Sequence, residues 1–138
     1  MDLLLQTHAL ATAALAGLVW VVQLVVYPAF RTVGPTHQWP EYHRTHSRRM
    51  VRLIALPWAV QGVTIAALLV RQPSPLLLLT GALAATTVAV TVLVSVPLHV
   101  RLGQAYDEAT AVRLIRTNWL RTAAWTAGAV CAAVLAGS

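Results

Sequence analysis

The chain has 138 residues, of which 58% are hydrophobic and 10% are charged, and its formal net charge is +6. Soluble domains average about 25% charged residues, so this composition excludes an ordinary soluble domain and indicates a membrane protein. All ten fixed cations are arginines. Because a membrane protein is usually positive for reasons of topology, nucleic acid is not expected as a partner.

Four apolar stretches follow one another along the chain, each close to the roughly 20 residues that a helix needs to cross a bilayer. Backbone polar groups must bond internally in lipid, and the stretches lack the alternation of barrel strands, so they are predicted to be helices. The predicted helices span residues 3–27, 41–70, 76–100 and 108–136. Short loops then predict one all-α domain over residues 1–138, an integral-membrane antiparallel four-helix bundle.

The orientation of the bundle is predicted from its arginines. They are concentrated in and around the first and third loops, whereas the second loop carries only Arg71. The positive-inside rule therefore predicts that these two loops face the cytoplasm, that both termini lie outside, and that the protein is a multi-pass protein of the inner (cytoplasmic) membrane. The acidic start of the chain favours a retained first helix over a signal peptide.

The first predicted helix carries a polar stripe made of His8, Thr12, Gln23 and Tyr27. Such a stripe on a membrane helix is expected to face the bundle interior. Gln23 is interpreted as an interhelical hydrogen-bonding residue or as a polar group of a cavity. His8 lies too far along the helix to join a site near Gln23, and its role stays open. Pro28 is assigned to the first loop.

The second predicted helix begins with the segment EYHRTHSRRM, residues 41–50. His43 and His46 are three residues apart and share a helix face, and Arg48 and Arg52 follow on the same helix. Two interpretations stay open for this segment. It is either half of a site with chemistry or the charged rim of a membrane protein that contacts lipid headgroups.

The third and fourth helices bring polar residues to the same side of the membrane. A stripe of hydroxyl residues on the third helix leads to His99, and Pro97 removes the normal donor to the carbonyl of Leu93. Together these features predict a polar pocket at this end of the bundle. Arg121 lies at the membrane edge of the fourth helix, where an arginine indicates function by default, and Asn118 lies on its side of the helix.

The histidines suggest a metal site. His43, His46 and His99 could hold copper, iron or zinc, with Glu41 or Tyr42 as an oxygen ligand. The alternative is that these histidines are solvated or form ordinary hydrogen bonds. Haem between His46 and His99 is a further alternative. The single cysteine, Cys131, excludes an internal disulfide and is expected to be a packed thiol.

Residues 96–125, VPLHVRLGQAYDEATAVRLIRTNWLRTAAW, resemble the second half of small four-helix membrane proteins related to anthrone oxygenases. In that family a PLN..L motif ends the third helix and an N..RT motif starts the fourth. VVYPAF, residues 25–30, resembles the first loop more loosely. His99 departs from the pattern because asparagine is expected there. The matching residues are Pro97, Leu98, Leu102, Asn118, Arg121 and Thr122.

The resemblance implies oxidation of a lipophilic aromatic polyketide by dioxygen, an anthrone becoming an anthraquinone, either without a cofactor or with copper or iron. The implied partners are membrane lipid and this aromatic substrate, and a homo-oligomer is compatible with the sequence. The alternative is a non-catalytic lipophile-binding or accessory membrane protein. The candidate catalytic residues are His43, His46, His99, Arg52 and Arg121, and the candidate substrate-binding residues are Gln23, Tyr27, Arg48, Asn118 and Trp119.

Overall fold

The computed structural model describes residues 2–137 and contains four long helices. Each is long and apolar enough to cross a membrane, so the chain is an all-α, multi-pass membrane protein. The predicted fold class is therefore confirmed. The helices are α1 (Leu3–Val33), α2 (Trp39–Arg71), α3 (Pro75–Gln104) and α4 (Glu108–Gly137).

Short polar side chains cap three of the four helix starts, as expected for residues that satisfy the free N–H groups of a first turn. Asp2 accepts from the backbone N–H of Leu4 at 2.9 Å, and Ser74 accepts from the N–H of Leu77 at 3.2 Å. Asp107 accepts from both the N–H and the hydroxyl of Thr110. These caps keep the loops short, at residues 34–38, 72–74 and 105–107.

Helices α1 and α3 each contain one π-helical turn, which the sequence analysis did not predict. The turns cover Val22–Val26 and Thr91–Ser95. Each turn is followed directly by a residue and then a proline, Tyr27-Pro28 in α1 and Val96-Pro97 in α3. A proline lacks the N–H that its helix needs, so the backbone widens locally and the chain stays helical past it.

The structure corrects two predicted boundaries. The first helix was expected to end near residue 27, with Pro28 in the loop, but it continues through the proline to Val33. The π turn is the physical reason, because it accommodates the hydrogen bond missing at Pro28 instead of ending the helix. The third helix, which was predicted to run through Pro97 to residue 100, continues to Gln104.

The four helices form an antiparallel bundle in which α4 packs closely against both α1 and α3, and α1 packs against α2. Helices α2 and α3 are the loosest adjacent pair. The buried apolar residues form separate clusters along the bundle. Tyr27, Phe30 and Trp39 belong to the cluster near the first and third loops, and Leu68 belongs to the one at the opposite end.

The predicted polar stripe of α1 faces the bundle interior, since His8, Thr12, Gln23 and Tyr27 are all buried. Near the second-loop end, His8 and Thr12 join a chain of hydrogen bonds with Thr64, Gln61 and Trp125. This chain crosses three helices. His8 therefore takes part in interhelical hydrogen bonding, well separated from the other histidines.

Candidate functional site

Three histidines converge between α2 and α3 near the first and third loops. The ring centre of His99 lies 5.4 Å from that of His43 and 5.8 Å from that of His46. The ring of Phe30 packs edge-on against all three, with its shortest centre-to-centre distance, 4.9 Å, to His46. The structure thus brings together the histidines of the segment EYHRTHSRRM and the histidine that ends the polar stripe of α3.

Two of these histidines continue a hydrogen-bonded chain that starts at Tyr27. The phenol oxygen of Tyr27 lies 3.0 Å from Nε2 of His99, and Nδ1 of His99 lies 3.1 Å from Nε2 of His43. The guanidinium of Arg121 also interacts with the phenol. The phenol and each imidazole nitrogen can donate or accept, so both directions of proton order along Tyr27–His99–His43 fit these distances.

His46 is the histidine that stays outside this chain. Its ring is stacked on His99 with an interplanar angle of 18° and contacts Tyr27 and Phe30 edge-on. In the part of the chain that the structure describes, its ring nitrogens have no hydrogen-bond partner. Because a neutral imidazole with a free ring nitrogen can accept a proton, His46 is the residue of the cluster best placed to act as a base.

The histidines line a cavity of about 310 Å³ between α2 and α3. This volume lies at the lower end of the range of small-molecule sites, roughly 300–1,000 Å³. Aliphatic side chains form most of the remaining wall. The residues that bring polar atoms or titratable groups to the wall include Tyr27, His43, His46, Ser95, His99 and Arg121.

Arg121 brings a buried positive charge into this cavity. Arg121 is only 8% exposed, and its guanidinium carbon lies 5.1 Å from the ring centre of Trp125. One terminal nitrogen donates to the hydroxyl of Ser95 at 3.4 Å, and Nε has no hydrogen-bond partner among residues 2–137. The two ion pairs of the described chain, Arg31–Glu108 and Arg44–Glu41, both involve other arginines.

Gln23 and Asn118 lie beside the cavity but do not line it. Nδ2 of Asn118 donates to Oε1 of Gln23 at 2.8 Å, and Nε2 of Gln23 donates to the carbonyl of Ile115 at 3.2 Å. The prediction that Gln23 forms an interhelical hydrogen bond describes it correctly. The assignment of both residues to substrate binding is not supported, because their amides join α1 to α4.

Four other predicted site residues point away from the cavity. Arg48 and Arg52 are exposed and line a separate surface groove with Thr45 and Arg49. Since successive residues of a helix are about 100° apart, this face of α2 is opposite to the one that carries His43 and His46. Arg48 and Arg52 therefore do not line the histidine cavity.

Glu41 and Trp119 are the other two predicted site residues that point away from the cavity. Glu41 is exposed, accepts from the Thr45 hydroxyl at 3.1 Å and pairs with Arg44 at 3.2 Å, so it does not approach the histidines. Trp119 is 45% exposed and packs edge-on against Trp20 at 5.6 Å. On a membrane helix this exposed indole faces lipid rather than a pocket.

The structure also reveals site residues that the sequence analysis did not select. Trp39 is buried, lies 5.0 Å from His43 between ring centres, and donates from its indole to the carbonyl of Leu102 at 2.8 Å. Ser95, one turn before His99 on the predicted polar stripe, contacts Arg121. The stripe was the sequence signal for Ser95, whereas nothing in the local sequence distinguished Trp39 and Phe30 from interfacial aromatics.

The geometry gives limited support to a metal. The facing nitrogens of His43 and His99 are 3.1 Å apart, which is a hydrogen-bonding distance. In residues 2–137 there is no group of three or more His, Cys, Asp or Glu residues arranged to hold a metal ion. Haem between His46 and His99 is also unsupported, because lone pairs of stacked rings do not converge on one iron from opposite sides.

A second cavity of about 800 Å³ lies at the opposite end of the bundle, between the chain termini and the second loop. It is larger than the histidine cavity, but neither histidine nor arginine lines it. A functional pocket is recognised by convergent polar and titratable groups rather than by size alone. The histidine cavity is therefore the candidate functional site.

Comparisons with protein-family models, with curated proteins and with solved structures found no match to this chain. The fold and the site define a four-helix membrane protein with an intramembrane cavity lined by histidine, tyrosine and arginine.

Proposed function

We propose that this protein is an integral-membrane oxygenase that acts on a lipophilic aromatic compound of the anthrone or polyketide type. The observation that carries the proposal is the apolar cavity in which a hydrogen-bonded chain, Tyr27–His99–His43, meets an unbonded imidazole, His46, and a buried guanidinium, Arg121. These groups match the needs of a reaction that removes a proton from carbon and stabilises the resulting oxyanion.

The proposed reaction balances without any further oxidant or reductant. An anthrone carries a methylene group opposite its carbonyl, and loss of one methylene proton gives a phenolate tautomer. Dioxygen then adds to this carbon, one oxygen atom stays there as the new carbonyl of the anthraquinone, and the other leaves as water with both methylene hydrogens. The substrate is oxidised by four electrons, and dioxygen accepts all four.

The residues of the cavity have distinct proposed roles. His46 accepts the methylene proton, since its ring nitrogens are not committed to another side chain. Arg121 stabilises the negative charge that appears on the substrate oxygen. Tyr27 and His99 hold each other in place beside Arg121, and His43 continues the chain towards the buried Trp39 at the loop end of the bundle. Mutational losses for general acid–base groups of this kind are typically 10²–10⁴-fold.

The test is turnover of an anthrone by the purified protein in detergent, followed by anthraquinone absorbance and by dioxygen uptake in the same sample. We expect His46→Ala/His99→Ala to abolish enzymatic turnover. His37→Ala is the matched control, because His37 is exposed in the first loop. Turnover that survives the double substitution would show that the assigned roles are wrong.

Metal content must be measured alongside, because copper or iron could mediate electron transfer to dioxygen. Inductively coupled plasma mass spectrometry on the same samples distinguishes the routes. Near-stoichiometric copper or iron that His46→Ala/His99→Ala loses would favour a metal-dependent oxidase. Ligand binding with neither turnover nor dioxygen uptake would instead favour the alternative, a lipophile-binding or accessory membrane protein.

We also propose that the site lies at the cytoplasmic end of the bundle in the inner membrane. The support is the distribution of arginines, which are concentrated at the ends of the helices near the first and third loops. Single cysteines introduced into the first and second loops of a Cys131→Ala background should differ in their reaction with an impermeant maleimide. Labelling of the first loop from the outside would reverse the proposed orientation.

A further inference from the structure

The charge of the cavity defines the ligand more narrowly than its apolar wall does. An arginine side chain stays protonated in proteins, and Arg121 is only 8% exposed. A buried cation normally has a charged partner, because removing a charge from water without one is costly. The Ser95 hydroxyl, the Trp125 ring and the Tyr27 phenol face the guanidinium, and none of them is a carboxylate.

No carboxylate of the chain reaches this position. The sequence contains four acidic residues, all within the part that the structure describes. Asp2 caps α1 at the far end of the bundle, and Asp107 caps α4 at Thr110. Glu41 and Glu108 pair with Arg44 and Arg31. No acidic side chain of the protein therefore supplies a negative charge to Arg121.

The route to Arg121 is also defined by the structure. The cavity lies between α2 and α3, the loosest adjacent pair of helices. Val51 on α2 and Val96 and Val100 on α3 line it and are also exposed, at 63%, 49% and 57%. An exposed valine on a membrane helix faces lipid, so this side of the cavity opens laterally towards the bilayer.

We infer that the cavity binds its ligand as a lipophilic monoanion, a planar aromatic compound with a carboxylate or an ionised ring hydroxyl, taken up from the bilayer between α2 and α3. The apolar wall contacts the ring system, and the guanidinium of Arg121 donates hydrogen bonds to the anionic oxygen from its terminal nitrogens. This inference rests on the proposed function for the identity of the site. It adds that the ground state of the ligand, and not only a transition state, carries the charge.

The test compares two probes of nearly the same shape, anthracene-9-carboxylate and the neutral 9-anthracenemethanol, by fluorescence titration of the full chain in detergent. We expect the carboxylate to bind at least about tenfold more tightly. Arg121→Gln should remove this preference, because it weakens binding of the carboxylate far more than binding of the neutral alcohol. Arg121→Lys keeps the charge without the planar fork, so part of the preference should remain.

The matched control is Arg113→Gln, which removes an exposed arginine from the same helix. The control should keep the full preference for the carboxylate. Equal binding of the two probes by the unchanged protein would overturn the inference, as would a loss of preference in the control. The carboxylate titration is repeated with chloride in place of gluconate in the buffer. Weaker binding in chloride would also overturn the inference, since the site would then be one for a small inorganic anion.

These measurements distinguish a failure of this inference from a failure of the proposed function. A preference for the carboxylate that Arg121→Gln removes, without any turnover, would leave a site for lipophilic anions on a protein that is not an oxygenase. Turnover of an anthrone without a preference for the charged probe would leave the oxygenase and contradict the monoanion. Circular dichroism and thermal unfolding of each variant exclude loss of fold as the cause.

Discussion

The phenol oxygen of Tyr27 lies 3.0 Å from Nε2 of His99, although the two residues are 72 positions apart in the chain. Each follows a π-helical turn of its own helix, the turn Val22–Val26 in α1 and the turn Thr91–Ser95 in α3. π turns are frequent at functional sites because they change the direction in which side chains point. Here two of them lie beside one cavity.

Removing the phenol hydroxyl tests this pair. Tyr27→Phe breaks the contact with His99 and leaves the ring in place, so turnover of an anthrone should fall by about 10²-fold while binding changes little. Tyr42→Phe is the control, since Tyr42 contacts Phe30 and Trp39 through its ring. The turnover rate and the binding affinity for the anthrone are measured separately for each variant. An equal loss in both variants would contradict a role for the Tyr27 hydroxyl.

Replacing Arg121 should stabilise the empty protein. Arg121→Met removes a buried cation that has no carboxylate partner and keeps most of the side-chain volume. Exchanging buried charged groups for apolar ones is often stabilising by 1–4 kcal/mol, so we expect the free energy of unfolding in detergent to rise by at least about 1 kcal/mol. The control Arg113→Met should change it by less than about 0.5 kcal/mol. Destabilisation by Arg121→Met would mean that the charge is already compensated within the protein.

The hydrogen-bonded chain around His8 predicts a structural effect at Gln61. Gln61 accepts from the Trp125 indole at 3.2 Å and donates to the Thr12 hydroxyl at 3.2 Å. Gln61→Leu leaves both groups buried without these partners, and we expect a loss of about 1–3 kcal/mol for each in thermal unfolding. Gln6→Leu on α1 is the control. Unchanged stability in Gln61→Leu would indicate that water replaces the amide.

Gly34 is required by its contact with Tyr106. A Cβ atom at this position would lie 2.0 Å from the Tyr106 ring, so Gly34→Ala must displace the ring that joins the first and third loops. We expect destabilisation of about 1–3 kcal/mol, as in other overpacked sites. Tyr106→Ala in the same chain should remove most of the additional penalty, which a double-mutant cycle measures.

Gly62→Ala is the matched control for Gly34→Ala. No atom lies within 4 Å of the Cβ that it would introduce, and Gly62 lies within helix α2. Alanine is the better helix former, so this variant should gain up to about 1 kcal/mol. A loss of stability in the control equal to that of Gly34→Ala would show that the effect is not specific to the Tyr106 contact.

The same tyrosine predicts a dependence on high pH. Burial raises the pKa of Tyr106 from its usual value near 10 to about 12, and the hydrogen bond that it donates to Glu108 acts in the same direction. The folded state holds this proton more tightly, so its stabilising contribution is complete below about pH 10 and is lost between about pH 10 and 12. Stability curves of the unchanged protein and Tyr106→Phe should therefore converge across this interval. Parallel curves would contradict the predicted titration.

The sequence predicted much of the fold because hydrophobic length is a local property. Long apolar stretches and short loops were sufficient for four helices in an antiparallel bundle, and the two later helix starts were predicted to within one residue. The end of α1 was wrong, because a proline usually marks a boundary. Whether a π turn absorbs the missing hydrogen bond at Pro28 depends on packing against other helices, which the local sequence does not specify.

The sequence by itself also determined which residue types were available at the site: His43, His46, His99 and Arg121 were selected from their spacing and depth. The helical spacing of about 100° per residue already places Glu41, Arg48 and Arg52 on the face of α2 opposite to His43 and His46. Only the tertiary structure decided that His43 joins His99, that His46 stays free, and that Trp119 faces away from the cavity. The physical reason is rotation about the helix axes. Depth follows from counting residues, whereas the direction of each side chain is fixed by how the helices pack against one another.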